Sequence, residues 1–319
     1  MRVGSEPAGR PADDGDRVHW RCLLVNNMPD SAFEATERQY LRLLEAAAGC
    51  RTVELACTTV DGVPRGERAA ERIAVDYSPF AEISGLSPDL LIVTGSNPVA
   101  DRLEDEPYWG DLVDLLAWAR AGVPTVLLSC LSAHAALAAL DGIHRVRLEE
   151  KCTGVFPQSV DPGHPLAAGL GAPFVLPHSR LNAVPTATLE DAGWRVAVDA
   201  GPVGWSVATR QVDRAAVVLV QGHPEYDPSS LLREYHRDVR RYVLHERDDL
   251  PRLPVDCVAP ADRDGLARLH TRVVGGERDP ALVDAYPFDD VGERAPWSWR
   301  DAATQLYANW LAGVPERSE

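Results

Sequence analysis

Pro124-Thr125-Val126-Leu127-Leu128-Ser129-Cys130-Leu131-Ser132-Ala133-His134-Ala135-Ala136-Leu137 is the stretch on which the reading of this chain turns. Residues 124–129 form a short apolar run of the kind buried on both faces of a parallel sheet. Residues 131–140 are rich in Ala and Leu and have strong helix propensity. Cys130 therefore falls at a strand-to-helix turn, flanked by small residues that permit a tight bend.

Working outward, residues 89–94 form another continuous apolar strand, running into Gly95, and residues 108–121 carry amphipathic helical spacing. Toward the N-terminus, residues 20–27 read as a buried strand and residues 33–48 as its following helix. Residues 52–59 suit a further strand. Toward the C-terminus, shorter β-like runs at 174–176, 194–198 and 215–220 are punctuated by Pro and Gly, then residues 229–244 form a charged amphipathic helix. Alternating buried strands and helices imply an α/β fold, an open, mostly parallel sheet with helices on both faces, whose ligands collect at the carboxyl ends of the strands. Gly95, Cys130 and His223 all fall at such ends.

Three segments are expected. Residues 1–16, rich in Gly, Pro, Asp and Arg, cannot bury enough apolar surface to offset ordering entropy and read as a disordered leader. Residues 17–250 form the main domain. Residues 251–319 change character and read as a C-terminal extension packed on it, ending in a helix near 301–312.

The formal net charge of −16 disfavours nucleic acid as a partner, because phosphate binding depends on Lys and Arg. No apolar stretch is long enough to span a bilayer, and the polar N-terminus lacks the apolar core of a signal peptide, so no membrane partner and a cytoplasmic location are expected. The six cysteines, Cys22, Cys50, Cys57, Cys130, Cys152 and Cys257, are too sparse for a disulfide scaffold and lack CxxC pairing. Free thiols and no metal site are expected. A homodimer is the symmetry prior.

A thiol at a strand-to-helix turn sits where helix N-terminal amides favour the thiolate and can hold an oxyanion. By itself the turn fits a buried core cysteine better than a nucleophile. The second piece is Gly222-His223-Pro224-Glu225-Tyr226-Asp227, which follows the apolar run 217–221. A base must be oriented and kept in one tautomer by a third group, and Glu225, two residues after His223, fits that role. Standing alone, it reads better as a turn histidine capped by local hydrogen bonds.

Taken together, the two pieces resemble the class I glutamine amidotransferase-like fold, and further segments resemble its homoserine O-acyltransferase branch. These are Asn27-Met28-Pro29, Val93-Thr94-Gly95, Tyr108-Trp109, Glu150-Lys151 with Gly154-Val155, and Pro177-His178-Ser179-Arg180. Beyond them come Glu234-Tyr235 with Arg237-Asp238-Val239, Ser298-Trp299-Arg300 and Asn309-Trp310-Leu311. Their order covers nearly everything after residue 20.

The resemblance implies Cys130 as acyl-accepting nucleophile, His223 as base and Glu225 as its orienting partner. It also implies an acceptor pocket of Lys151, Ser179, Glu234 and Arg237. Two of these have an independent reading: Arg237 offers a fork suited to a carboxylate, and Glu234, one helical turn away, could meet an ammonium. Without the resemblance, a surface ion pair is the better reading of both. Lys151 is the only lysine in the chain. No cofactor is expected to be bound; acyl-coenzyme A enters as co-substrate and a hydroxy amino acid, homoserine or serine, as acceptor, through an acyl-cysteine. Oxyanion donors are expected at the backbone N–H groups of Leu131 and the Gly95-Ser96 turn.

The chain departs from the family pattern on the donor side, with Ser96-Asn97-Pro98-Val99 after Gly95, Leu131 after Cys130, and His134 in place of Gln. Acetyl and succinyl donors both stay open, and so does a substrate contact for His134. A glutaminase-type amidotransferase and a non-catalytic binding protein are the alternatives on the same fold.

Overall fold

The computed structural model describes residues 19–171 and 173–315. The leader expected over residues 1–16 lies outside the described residues. In chain order, β1 (His19–Val25) is followed by α1 (Asp30–Ala48), β2 (Thr52–Thr58), α2 (Glu67–Asp76) and β3 (Leu90–Val93). Next come α3 (Trp109–Gly122), β4 (Thr125–Ser129), α4 (Leu131–Asp141), β5 (Val146–Val160) and β6 (Phe174–Ala183). They lead to α5 (Thr186–Asp191), β7 (Arg195–Asp199), β8 (Trp205–Val212), β9 (Ala215–Val220) and α6 (Ser230–Val243). Four helices close the chain: α7 (Arg263–Val274), α8 (Pro280–Asp284), α9 (Phe288–Glu293) and α10 (Arg300–Ala312).

The strands form one sheet in the order β2-β1-β3-β4-β9-β8-β7-β5-β6. From β2 to β9 every pairing is parallel; from β9 onward the pairings are antiparallel. The expected open sheet is therefore present, with an antiparallel extension beside its parallel half. Side chains alternate between the faces of a strand, and two hydrophobic cores follow from that alternation. Leu24, Ile92, Leu127 and Val218 lie in one core with α1, α6, α7 and α10. Val25, Leu91, Leu128 and Leu219 lie in the other with α3 and α4. Helices thus cover both faces.

One feature lay beyond the sequence reading. Strand β5 begins at Val146 and runs for 15 residues, much of it exposed, so it lacks the apolar signal of a buried strand. The residues after 251 share the first core: Trp299, Leu306, Tyr307 and Trp310 cluster with Trp20 and Tyr40. Trp310 Nε1 donates to Thr125 Oγ1 at 2.7 Å, joining α10 to β4.

Candidate active site

The parallel register places the ends of three adjacent strands side by side, with Val93 opposite Leu128 and Ser129 opposite Val220. Cys130 extends that ladder, its N–H donating to Val220 O at 2.7 Å. It then turns into α4 with φ 52° and ψ −105°, a conformation that costs a side-chain-bearing residue strain energy. Ser132 Oγ lies 2.7 Å from Val93 O and 2.9 Å from Ser129 O, tying the bend to β3 and β4. Cys130 is partly accessible, whereas Cys22, Cys57 and Cys257 are buried and burial pushes their thiols up. All six cysteines are unbridged.

Gly95, at the end of β3, comes against the elbow so closely that a Cβ on it would lie 3.4 Å from Leu131 N. Ser96 Oγ donates to Tyr108 Oη at 2.6 Å on the same side. Leu131 and the Gly95-Ser96 turn, both expected as oxyanion donors, are thus neighbours.

His223 and Glu225 sit on the loop after β9. The His223 N–H donates to Pro177 O at 2.8 Å, fixing the loop to β6. Its Nδ1 lies 2.8 Å from Glu225 Oε1, and its ring stacks on Tyr226 with centroids 4.3 Å apart. The other nitrogen, Nε2, is buried without a hydrogen bond of ordinary geometry. Burial by itself would lower the imidazole pKa, but the Glu225 carboxylate, reinforced by the neighbouring Cys130 sulfur, outweighs it and holds His223 well above its ordinary value. Cysteine, imidazole and carboxylate are thus brought together in the order expected.

The four residues expected in an acceptor pocket also converge. Glu234, on α6, receives a 2.9 Å hydrogen bond from Lys151 Nζ on β5, one from Ser179 Oγ on β6, and one of 2.6 Å from Tyr226 Oη. Arg237 joins through a residue the sequence reading gave no role. Asp238 accepts from Arg237 Nε at 3.0 Å and Nη2 at 2.9 Å, and from Lys151 Nζ at 3.2 Å. Arg247 adds an ion pair to Asp238 at 3.3 Å. Burial pushes the Glu234 and Asp238 carboxyls up, yet Lys151 and their other partners prevail and hold both below the usual range. The same carboxylates keep Lys151 raised against its own burial.

His134 takes a packing role. It is 2% exposed, its Nε2 lies 2.9 Å from Gln221 Oε1, and Gln221 Nε2 in turn donates to Trp205 O at 2.7 Å. Burial lowers its pKa to about 4, so it is a neutral brace behind the elbow. Among the described residues, no group of three or more His, Cys, Asp or Glu side chains is placed to hold a metal ion, and no helix is long and apolar enough to cross a membrane.

Comparison with known proteins bears on this geometry. A family model described as homoserine O-succinyltransferase matches residues 9–316. A homoserine O-succinyltransferase of Rhodopseudomonas palustris is 40% identical over 91% of this chain and 87% of its own length. One from Methylorubrum extorquens is 41% identical over 93% of this chain and 88% of its own. Among solved structures, that of SMU.1228c superposes with a TM-score of 0.50 at 14% identity, over 92% of this chain and 100% of that one, a likeness of fold alone. With the match running from before β1 to beyond α10, this chain is an acyltransferase that belongs to the homoserine O-succinyltransferase family.

Proposed function

We propose that the protein moves an acyl group, succinyl by preference, from acyl-coenzyme A to the hydroxyl of homoserine through an acyl-Cys130 intermediate, acting in the cytoplasm. The observation that carries this reading is a partly accessible cysteine on a strained elbow beside an imidazole braced by a buried carboxylate. The names of the relatives support homoserine and succinyl as the groups handled.

His223 Nε2 takes the Cys130 thiol proton, and the thiolate attacks the thioester carbonyl carbon. The oxyanion is met by the N–H groups of Leu131 and the Gly95-Ser96 turn. Collapse breaks the bond to the coenzyme thiol, which leaves with the proton from His223. Homoserine then binds with its carboxylate toward Arg237 and Lys151 and its ammonium toward Glu234. His223 removes the hydroxyl proton, the oxygen attacks the acyl-cysteine carbonyl, and the Cys130 thiolate departs and is reprotonated. Glu225 keeps Nδ1 protonated throughout, so Nε2 alone exchanges protons.

The test is intact mass spectrometry after mixing with succinyl-coenzyme A. A succinyl adduct is expected on the wild-type chain, lost on addition of homoserine and never formed by Cys130→Ala. No adduct from any acyl-coenzyme A donor, or release of ammonia from glutamine, overturns the reading.

A further inference from the structure

Most of the positive charge around the elbow is already spoken for. Lys151 is held by Glu234 and Asp238, Arg237 by Asp238, and Arg247 by Asp238 and Asp249. Arg180 is buried beside the site, but its two terminal nitrogens are fixed on the carbonyls of Asn182 and Val203. Arg145 differs: it is partly buried, and among the described residues it makes no hydrogen bond or ion pair.

Its position is set by the chain on either side. His144 Nδ1 pairs with Glu104 Oε1 at 2.9 Å, which pins the approach to β5 onto the loop that follows β3. That loop begins with Gly95 against Leu131 and carries the Ser96–Tyr108 hydrogen bond. Arg145 is therefore on the donor side of the elbow, within electrostatic reach of Tyr108 and Cys130. Two carboxylates are also within reach, but both are engaged elsewhere. Glu104 Oε1 is bonded to His144 and Arg102, and Glu106 Oε1 accepts from Val99 N and Ala100 N at 2.6 Å each. A partly desolvated guanidinium without a carboxylate for its fork is suited to an anionic ligand.

We propose that Arg145 is the donor-specificity residue of this site, its guanidinium receiving the distal carboxylate of a dicarboxylic acyl group whose reacting carbon is bonded to Cys130 Sγ. This rests on the acyl-cysteine reading above. The same guanidinium chemistry would serve a phosphate of the coenzyme, so the test separates the two sources.

Rates of Cys130 acylation are measured with succinyl-coenzyme A and with its uncharged counterpart, the distal methyl ester, for wild type, Arg145→Gln and Arg145→Lys. Both donors carry the same phosphates, and their rate ratio is independent of the fraction of protein folded. Wild type is expected to favour the free carboxylate by about ten- to a hundredfold, from a charged hydrogen-bonded contact. In Arg145→Gln the ratio falls toward one, and Arg145→Lys restores part of it. An unchanged ratio in Arg145→Gln, or an equal loss with both donors as a phosphate contact would give, overturns the proposal. If wild type is acylated by neither donor, the failure belongs to the acyl-cysteine reading instead.

Discussion

His223 and Glu225 are 6% and 5% exposed, and a 2.8 Å Nδ1–Oε1 hydrogen bond joins them on the loop leaving β9. The carboxylate overcomes the burial that would otherwise drive the imidazole neutral; in the mechanism proposed above it also fixes the tautomer that leaves Nε2 for proton exchange. Glu225→Gln keeps the shape and removes the charge. The His223 pKa, followed by NMR titration, is expected to fall. Cys130 acylation should slow by about 10²- to 10⁴-fold, the range for a displaced acid–base partner. Because Glu225 raises the folded-state value, the stability it adds through the imidazolium is complete below about pH 6.5 and is lost as pH rises through the folded pKa. The stability gap between wild type and variant should therefore close toward alkaline pH. An unmoved His223 titration would show that the carboxylate does not govern the ring.

Cys130 carries strain for its position. With φ 52° it occupies backbone space that glycine enters freely and other residues enter at a cost of roughly 1–3 kcal/mol. Cys130→Gly relieves that cost while adding unfolded-chain entropy of about 0.5–1 kcal/mol. A net gain of about 1 kcal/mol in denaturant unfolding is expected, together with complete loss of acylation. A variant less stable than wild type would mean that the elbow is held by thiol packing and is not under strain.

The elbow was legible in the sequence because both flanks are local signals, an apolar run and an Ala-Leu helix meeting at one residue. His223 and Glu225 were legible for the same reason, being two apart after β9. The pocket was not legible from spacing. Lys151 lies 83 residues from Glu234 and 87 from Asp238 in sequence, and only the β5–β6 pairing against α6 brings them together. Resemblance supplied Lys151, Ser179, Glu234 and Arg237. Asp238, the residue that bonds two of them, looks from sequence like a charge on a helix surface. Strand β5 was missed because Glu149, Glu150 and Lys151 interrupt the apolar pattern where its side chains turn toward the pocket and solvent.

Asp238 is the hub of that pocket, its side chain 8% exposed and paired with Lys151, Arg237 and Arg247. Asp238→Asn leaves partly buried cations short of a counter-charge, which costs about 3–5 kcal/mol. Urea unfolding near neutral pH is the measurement. Since the Asp238 carboxyl is held below its usual value, its contribution is complete above the unfolded pKa near 4 and disappears as pH falls through the folded one. The difference between wild type and variant should therefore shrink on acidification. A gap that stays constant into acid would remove Asp238's ion pairs as the cause.

The C-terminal residues are held to the site by backbone as well as by the core. Gly154, inside β5, has φ 144°, and residue 255 lies directly over it: Val155 N donates to Val255 O at 2.9 Å, and Val255 N to Thr153 O at 3.1 Å. A Cβ on Gly154 would stand 2.6 Å from Val255 N, closer than backbone can tolerate. Gly154→Ala must therefore push residue 255 off β5, three residues from Lys151 and one from Ser179's partner Thr153. Destabilisation of at least about 2 kcal/mol is expected from the strained φ and the two broken hydrogen bonds. Hydrogen exchange should rise at Val155 and Val255 before it rises in the parallel strands β1, β3 and β4, whose side chains are buried in both cores. Simultaneous loss of protection in all of them would instead make the 255 bridge part of the same cooperative unit as the sheet.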